Sequence, residues 1–158
     1  MNSVAPARRV LIVGPDPTLR AGLMTVAART AYVEGCRSFK SARARLHAKA
    51  YDLIVTNARL SEYNGINLVY LSKLVHASAR AIVYDRDGDL GVAADVHQAG
   101  AFFEVAARLL VTLPSYITAP LPATDRRTPA AFDRRTLSRG GRRLWDRHML
   151  ESASLVHY

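Results

Sequence analysis

This sequence lacks a pair of cysteines that could form a disulfide, and it lacks long apolar runs. Cys36 is the only cysteine among 158 residues, which excludes an intramolecular disulfide and fits a reducing compartment. No apolar run approaches the ~18 residues that a membrane-spanning helix needs, and the N-terminus carries no hydrophobic signal-peptide core. We therefore expect a cytoplasmic protein without a transmembrane segment.

Cofactor and metal motifs are missing as well. The loop after the first apolar run does not supply G-x-G-x-x-G, and no histidine falls at ligand spacing with a second histidine or a cysteine. Residues 85–89 imitate the start of a calcium loop, but Leu90 and Val96 stand where the glycine and the bidentate acid are needed. We expect no metal and no cofactor, and we interpret residues 85–89 as a solvated loop that caps a helix.

What the sequence does contain is a regular alternation of short apolar runs with helix-like segments. Apolar runs of this length, flanked by helical patterns, are typical of strands in a parallel sheet that is covered by helices on both faces. The pattern therefore predicts an α/β domain. Predicted strands cover residues 9–13, 32–36, 52–57, 80–84 and 101–104, and predicted helices begin near residues 16, 38, 66, 92 and 105.

The central apolar run ends at Asn57. In open parallel sheets, ligands and chemistry collect at the carboxyl ends of the strands. Right-handed crossovers with short loops place residues 14–16, 57–64 and 85–89 at that same end. We expect any functional side chains to meet there.

Three segments in register resemble the receiver (CheY-like) domain of bacterial response regulators. They are residues 10–20, residues 51–57 with Gly65 eight positions further on, and residues 99–101 before the last strand. The resemblance covers about residues 8–118. It implies a flavodoxin-like (βα)5 fold, a doubly wound parallel sheet with strand order 2-1-3-4-5, and we assign residues 1–118 to a receiver-like domain.

The chemistry that this resemblance implies is phosphoryl transfer to an aspartate at the end of the third strand, with Mg²⁺ held by acidic side chains. This sequence departs from that pattern at each position the reaction needs. The two acidic positions fall on Gly14 and Pro15, the phospho-acceptor on Asn57, the hydroxyl on Asp85, and the lysine near Ala107 unless it is deleted. A carboxamide has no anionic oxygen with which to attack phosphorus. We therefore interpret the chain as a non-phosphorylatable receiver and not as an enzyme.

Two readings of the altered positions stay open. Asp16 is either a surviving metal ligand or, as we favour, the N-cap of a helix that begins at Pro17. Asp85 either points to water or is held in place by Asn57, Arg59 or Arg86. A held Asp85 would fix the loop in one arrangement.

The resemblance also implies an output face made of the fourth helix, the fifth strand and the fifth helix. The apolar residues of this region exceed what the last strand and helix need for their own burial, which indicates contact with a signalling partner or a homodimer. The residues predicted to form this interaction face are Val96, Phe102, Phe103, Leu109 and Leu110.

The remaining chain, residues 119–158, is predicted to be a linker and an Arg-rich tail. The net charge is +9, and residues 120–158 contribute 8 arginines against 4 acidic residues. Arginine doublets can grip phosphates, which makes a nucleic-acid or anionic-lipid binder the alternative function, while the simpler interpretation is a solubilising tail. Prolines 114, 120, 122 and 129 mark the linker, and the doublets are Arg126 and Arg127, Arg134 and Arg135, and Arg142 and Arg143.

Overall fold

A computed structural model describes residues 7–119 together with Pro122. Five parallel strands form one sheet, and a small antiparallel hairpin stands apart from it. The elements are β1 (Arg9–Val13), α1 (Pro17–Ala27), β2 (Tyr32–Cys36), α2 (Phe39–Ala48), β3 (Leu53–Asn57), β4 (Arg59–Leu60), β5 (Tyr63–Asn64), α3 (Ile66–Val75), β6 (Arg80–Asp85), α4 (Leu90–Gln98), β7 (Phe102–Val105) and α5 (Ala106–Thr118).

The order of the sheet is β2-β1-β3-β6-β7. Since β4 and β5 belong to the hairpin, this is the predicted 2-1-3-4-5 arrangement of a flavodoxin-like fold. Helices α1 and α5 cover the sheet face that carries Ile12 and Val55, while α2, α3 and α4 cover the face that carries Leu11 and Val83. The sheet is buried on both faces because its strands are apolar at both odd and even positions.

The helix boundaries follow from short polar residues. Oδ1 of Asp16 accepts hydrogen bonds from the N–H groups of Thr18 (2.9 Å) and Leu19 (3.3 Å), so its N-cap role is confirmed. Asp89 caps α4 in the same way, which starts that helix at Leu90, two residues before its predicted start. Gly100 ends the α4 turn with a φ of 79°, a left-handed conformation that favours glycine.

The last strand and helix differ from their predicted bounds. β7 begins one residue later than expected, and α5 begins at Ala106 and continues to Thr118. Pro114 lies inside α5, so interpreting it as a linker residue was wrong. Proline removes one helical hydrogen bond, but Leu109, Leu113 and Ile117 continue a buried stripe across it, and this packing holds the helix together.

Most of the predicted interaction face is core. Val96 and Leu109 are fully buried and Phe102 is 6% exposed, so these three residues cannot form a contact surface. Phe103 and Leu110 are half-buried against the same clusters. The prediction failed because α4 and α5 both pack against β7. This packing buries the apolar side chains that we expected to be exposed on the surface.

The fold also bears on the lone cysteine and on the absence of a membrane-spanning segment. Cys36 is buried, and this burial raises the pKa of its thiol to about 11, which keeps the sulfur protonated and unreactive. Within residues 7–119, no helix has the length and apolar character needed to cross a bilayer.

Candidate functional site at the carboxyl ends of the strands

The sheet brings three of the positions singled out in the sequence to one edge. Gly14 follows β1, Asn57 ends β3, and Asp85 ends β6, all at the carboxyl ends of neighbouring parallel strands. In the register, Asn57 lies opposite Tyr84 and Asp85 lies opposite Val105. The predicted juxtaposition of these three positions is therefore found.

Ala107 does not belong to this group. It is exposed on the first turn of α5, two residues past the end of β7. Val105 is the residue at the strand end, and its side chain lies beside the loop at Gly88. Ala107 therefore lies two residues beyond the strand end, outside the edge formed by Gly14, Asn57 and Asp85.

Tyr84 is the functional-site residue that the sequence did not reveal. It is 1% exposed, and its hydroxyl lies 3.4 Å from the carbonyl oxygen of Val13. A Cβ atom placed on Gly14 would come within 2.2 Å of that hydroxyl oxygen, so the phenol fills the space above the end of β1. In the sequence, Tyr84 looks like one more apolar residue of the fourth predicted strand. Only the register between β3 and β6 shows which way its side chain points.

The Tyr84 hydroxyl stays protonated at neutral pH. Burial raises its pKa to about 12, and this effect outweighs the opposite effect of the hydrogen bond with Asn57. A neutral phenol is a donor and an acceptor, but it brings no charge to the site.

Asn57 works as a turn residue. Its Oδ1 accepts a hydrogen bond from the N–H of Arg59 at 2.9 Å, which is an Asx turn. The backbone supports the same turn, because the N–H of Ala58 donates to Tyr84 O and the N–H of Gly65 donates to Ala58 O, both at 2.8 Å. The carboxamide thus organises the chain where the family places a nucleophile.

Asp85 points inward. Its side chain is 6% exposed, and Oδ1 accepts a hydrogen bond from the N–H of Arg86 at 2.9 Å. Nε of Arg59 lies 3.9 Å from the same oxygen, whereas Oδ2 is buried without a hydrogen-bond partner among the described residues. Of the alternatives left open, exposure to water is wrong, and the contact with Arg59 is found.

The hairpin β4–β5 connects this edge to the neighbouring helix. Tyr63 stacks on Phe39, at the start of α2, with ring centroids 4.5 Å apart and planes at 25°. Arg59, on the other hairpin strand, reaches Asp85 at the end of β6. Ser61 turns the hairpin with a φ of 52°. Strands of two residues leave no periodic signal, which is why the sequence did not predict them.

The site does not fit the Mg²⁺ ion that the fold family implies. Among the described residues, no group of three or more His, Cys, Asp or Glu side chains could hold a metal ion. Gly14 and Pro15 offer no carboxylate, the Tyr84 hydroxyl fills the adjacent space, and Asp85 supplies a single free carboxylate oxygen. Asp16 is engaged in its N-cap hydrogen bonds. No metal-assisted step follows from these residues.

The comparisons with solved structures identify the fold. The chain superposes on a response regulator protein from Burkholderia pseudomallei with a TM-score of 0.64 at 14% identity, covering 71% of this chain and 67% of that one. The described part of the chain has the receiver-domain fold.

Further receiver domains give the same result. The signal receiver domain of an HD domain-containing protein from Pseudomonas fluorescens Pf-5 matches with a TM-score of 0.64 at 18% identity, covering 74% of this chain and 91% of that one. The beryllofluoride-activated NtrC4 receiver domain dimer matches with a TM-score of 0.61 at 18% identity, over 69% and 95% of the two chains. The sequence matches no family model and no curated protein.

The tail residues proposed to bind a polyanion lie outside the described residues. This applies to the six arginines of the three doublets and to all of the linker before them except residues 119 and 122. Their role stays a prediction from the sequence.

Proposed function

We propose that this protein is a signalling module of the two-component type that acts by binding a partner protein, in the cytoplasm, without aspartyl phosphorylation and without enzymatic activity. The observation that carries the proposal is the arrangement at the carboxyl end of β3. There Asn57 forms an Asx turn, and the Tyr84 side chain fills the adjacent space at Gly14.

Four features of the site support the loss of phosphorylation. The nucleophile position holds an amide, and the metal-binding positions hold Gly14 and Pro15. At the hydroxyl position, the Asp85 carboxylate would repel a phosphoryl group. The lysine position falls near Ala107 or is deleted, the strand itself ends at Val105, and no lysine occurs after Lys73. Any one of these changes would impair the reaction, and together they remove its nucleophile, its metal and its cation.

Small phosphodonors with Mg²⁺ are expected to leave the full chain unmodified. Intact-mass spectrometry should detect no added phosphoryl group. The Asn57→Asp variant should stay unmodified too, because the restored carboxylate would still lack a metal site. A stoichiometric, acid-labile phosphate on the natural protein would overturn the proposal. The same phosphate on the variant alone would show that Asn57 is the only lost element.

The partner contact is proposed for the surface around α4 and α5. Val111 on α5 is 79% exposed, and Leu90 at the start of α4 is 46% exposed, so each presents apolar surface to solvent. The solved receiver domain dimer to which this chain is similar makes a second copy of the chain a reasonable occupant.

A charge at Val111 is expected to weaken association without unfolding the domain. Val111→Glu in the full chain should reduce self-association in light scattering, or partner capture if the partner is another protein, by about tenfold or more, since burying an unpaired carboxylate costs several kcal/mol. Leu74→Glu on α3 is the matched control, because Leu74 is equally apolar and 85% exposed. Association that is lost with the control and kept with Val111→Glu would contradict this surface.

A further inference from the structure

A second charged feature lies on α2, away from the end of β3. Residues 37–49 contain five lysine or arginine side chains and no acidic residue. Two of them are paired with one acid, because Glu34 on β2 lies 3.3 Å from Arg45 and 2.5 Å from Lys49. The Lys49 ammonium, and then the Tyr51 hydroxyl, hold the pKa of Glu34 at about 2, so this carboxylate remains charged and paired at neutral pH.

The other three cations are exposed, and they form no ion pair within the described residues. Arg37 precedes the helix, and Lys40 and Arg43 lie on it. We call these three residues the basic stripe. At 100° per residue, Lys40 and Arg43 share one face of α2 with His47, opposite the buried Ala42 and Leu46. Lys40 and Arg43 therefore lie on the outward face of this helix, and Arg37 lies just before its start.

The spacing of the stripe suits a chain of phosphates. A rise of ~1.5 Å per residue places Lys40 and Arg43 about 4.5 Å apart along the helix axis, and their long side chains can spread further. The phosphates of one DNA strand rise ~3.4 Å along the duplex axis and lie further apart in space, because the strand winds around that axis. Ser41, next to Lys40, and Ala44, next to Arg43, have small exposed side chains, which leave room for a backbone to approach.

The same face is unsuited to a membrane surface. An interfacial helix inserts large apolar side chains beside its cations. The large exposed apolar residues of the described chain are on other elements, and α2 carries none of them. Charge complementarity thus favours a hydrophilic polyanion.

We propose that the basic stripe of α2 binds the phosphate backbone of nucleic acid without sequence preference. The site is independent of the proposed signalling contact, since it uses another helix, and independent of the tail arginines. Three neutralised phosphates correspond to a log–log salt slope of about −2.7, or about a 40-fold loss of affinity between 50 and 200 mM salt.

The test is a fluorescence-anisotropy titration of a labelled 20-base-pair DNA duplex with the full chain at several salt concentrations. The variant R37Q/K40Q/R43Q should bind at least tenfold more weakly at 50 mM salt, and its slope should be shallower by about 2.7. The control R9Q/R29Q/R86Q removes the same net charge from other exposed sites and should change affinity less than threefold. Circular dichroism melting checks that both variants fold.

Other outcomes overturn the proposal. Equal losses in the two triple variants would mean that net charge alone attracts DNA. Unchanged binding by the stripe variant, with loss after all six tail doublet arginines are changed to glutamine, would move the site to the tail. Stripe-dependent binding to phosphatidylserine vesicles, with none to DNA, would identify a membrane surface instead. No DNA binding at 25 mM salt would also refute the proposal.

Discussion

Replacing Gly65 by alanine is expected to lower the free energy of unfolding by about 3 kcal/mol. The reason is steric. A Cβ atom at this position would lie 2.0 Å from the carbonyl oxygen of Asn57 and 3.1 Å from Oγ1 of Thr56. Both atoms belong to a buried strand end and cannot move aside cheaply, and the turn around Asn57 would have to open.

Urea unfolding of the full chain checks this prediction, and Gly88→Ala provides the matched control. A Cβ at Gly88 would meet only the Val105 side chain at 3.7 Å, an ordinary contact. The control should be neutral or stabilised by up to about 1 kcal/mol, since alanine restricts the unfolded chain. Equal midpoints for Gly65→Ala and the natural protein would show that Gly65 is not packed against Asn57.

Alanine at Gly14 is expected to destabilise the protein by about 2 kcal/mol, and the loss of the Tyr84 hydroxyl should rescue it. The added Cβ would come within 2.2 Å of the hydroxyl oxygen but 3.5 Å from the ring carbon that bears it. In the double variant with Tyr84→Phe, only the ordinary contact remains. Tyr84→Phe alone should cost about 1 kcal/mol, for one buried hydrogen-bonding group.

The rescue is measured as a double-mutant cycle in urea, where the coupling between the two sites should be at least about 1 kcal/mol and favourable. Tyr116→Phe is the control, because its hydroxyl donates to Glu104 at 2.6 Å, in a contact separate from Gly14. Additive effects of Gly14→Ala and Tyr84→Phe would contradict the placement of the phenol above β1.

The strands and helix starts could be predicted because their signals are local. Apolar runs, the caps at Asp16 and Ser38, and the glycine at position 100 act within a few residues of the chain. The resemblance to receiver domains added the order of the sheet. It also drew attention to Gly65, whose close approach to Asn57 explains the eight-residue spacing between them.

What could not be predicted depends on contacts between distant segments. Tyr84 looked like a core residue until the pairing of β3 with β6 directed it toward Asn57 and Gly14. The burial of Phe102 follows from α5 packing on β7, including its T-shaped contact with Tyr116 at 5.7 Å. Sequence patterns measure how apolar a segment is, and they do not show how much apolar area its neighbours will cover.

Under the proposed function, the phenol above Gly14 has a consequence for how fast the protein responds. A phosphoryl group is added and removed, so a switch of that kind follows a kinase and a phosphatase within seconds. Tyr84 is part of the chain itself, so, unlike a phosphoryl group, it cannot be removed from the site. Under the proposed function, the strength of the signal follows the copy number of the protein. Its timing is then that of transcription, proteolysis and cell growth.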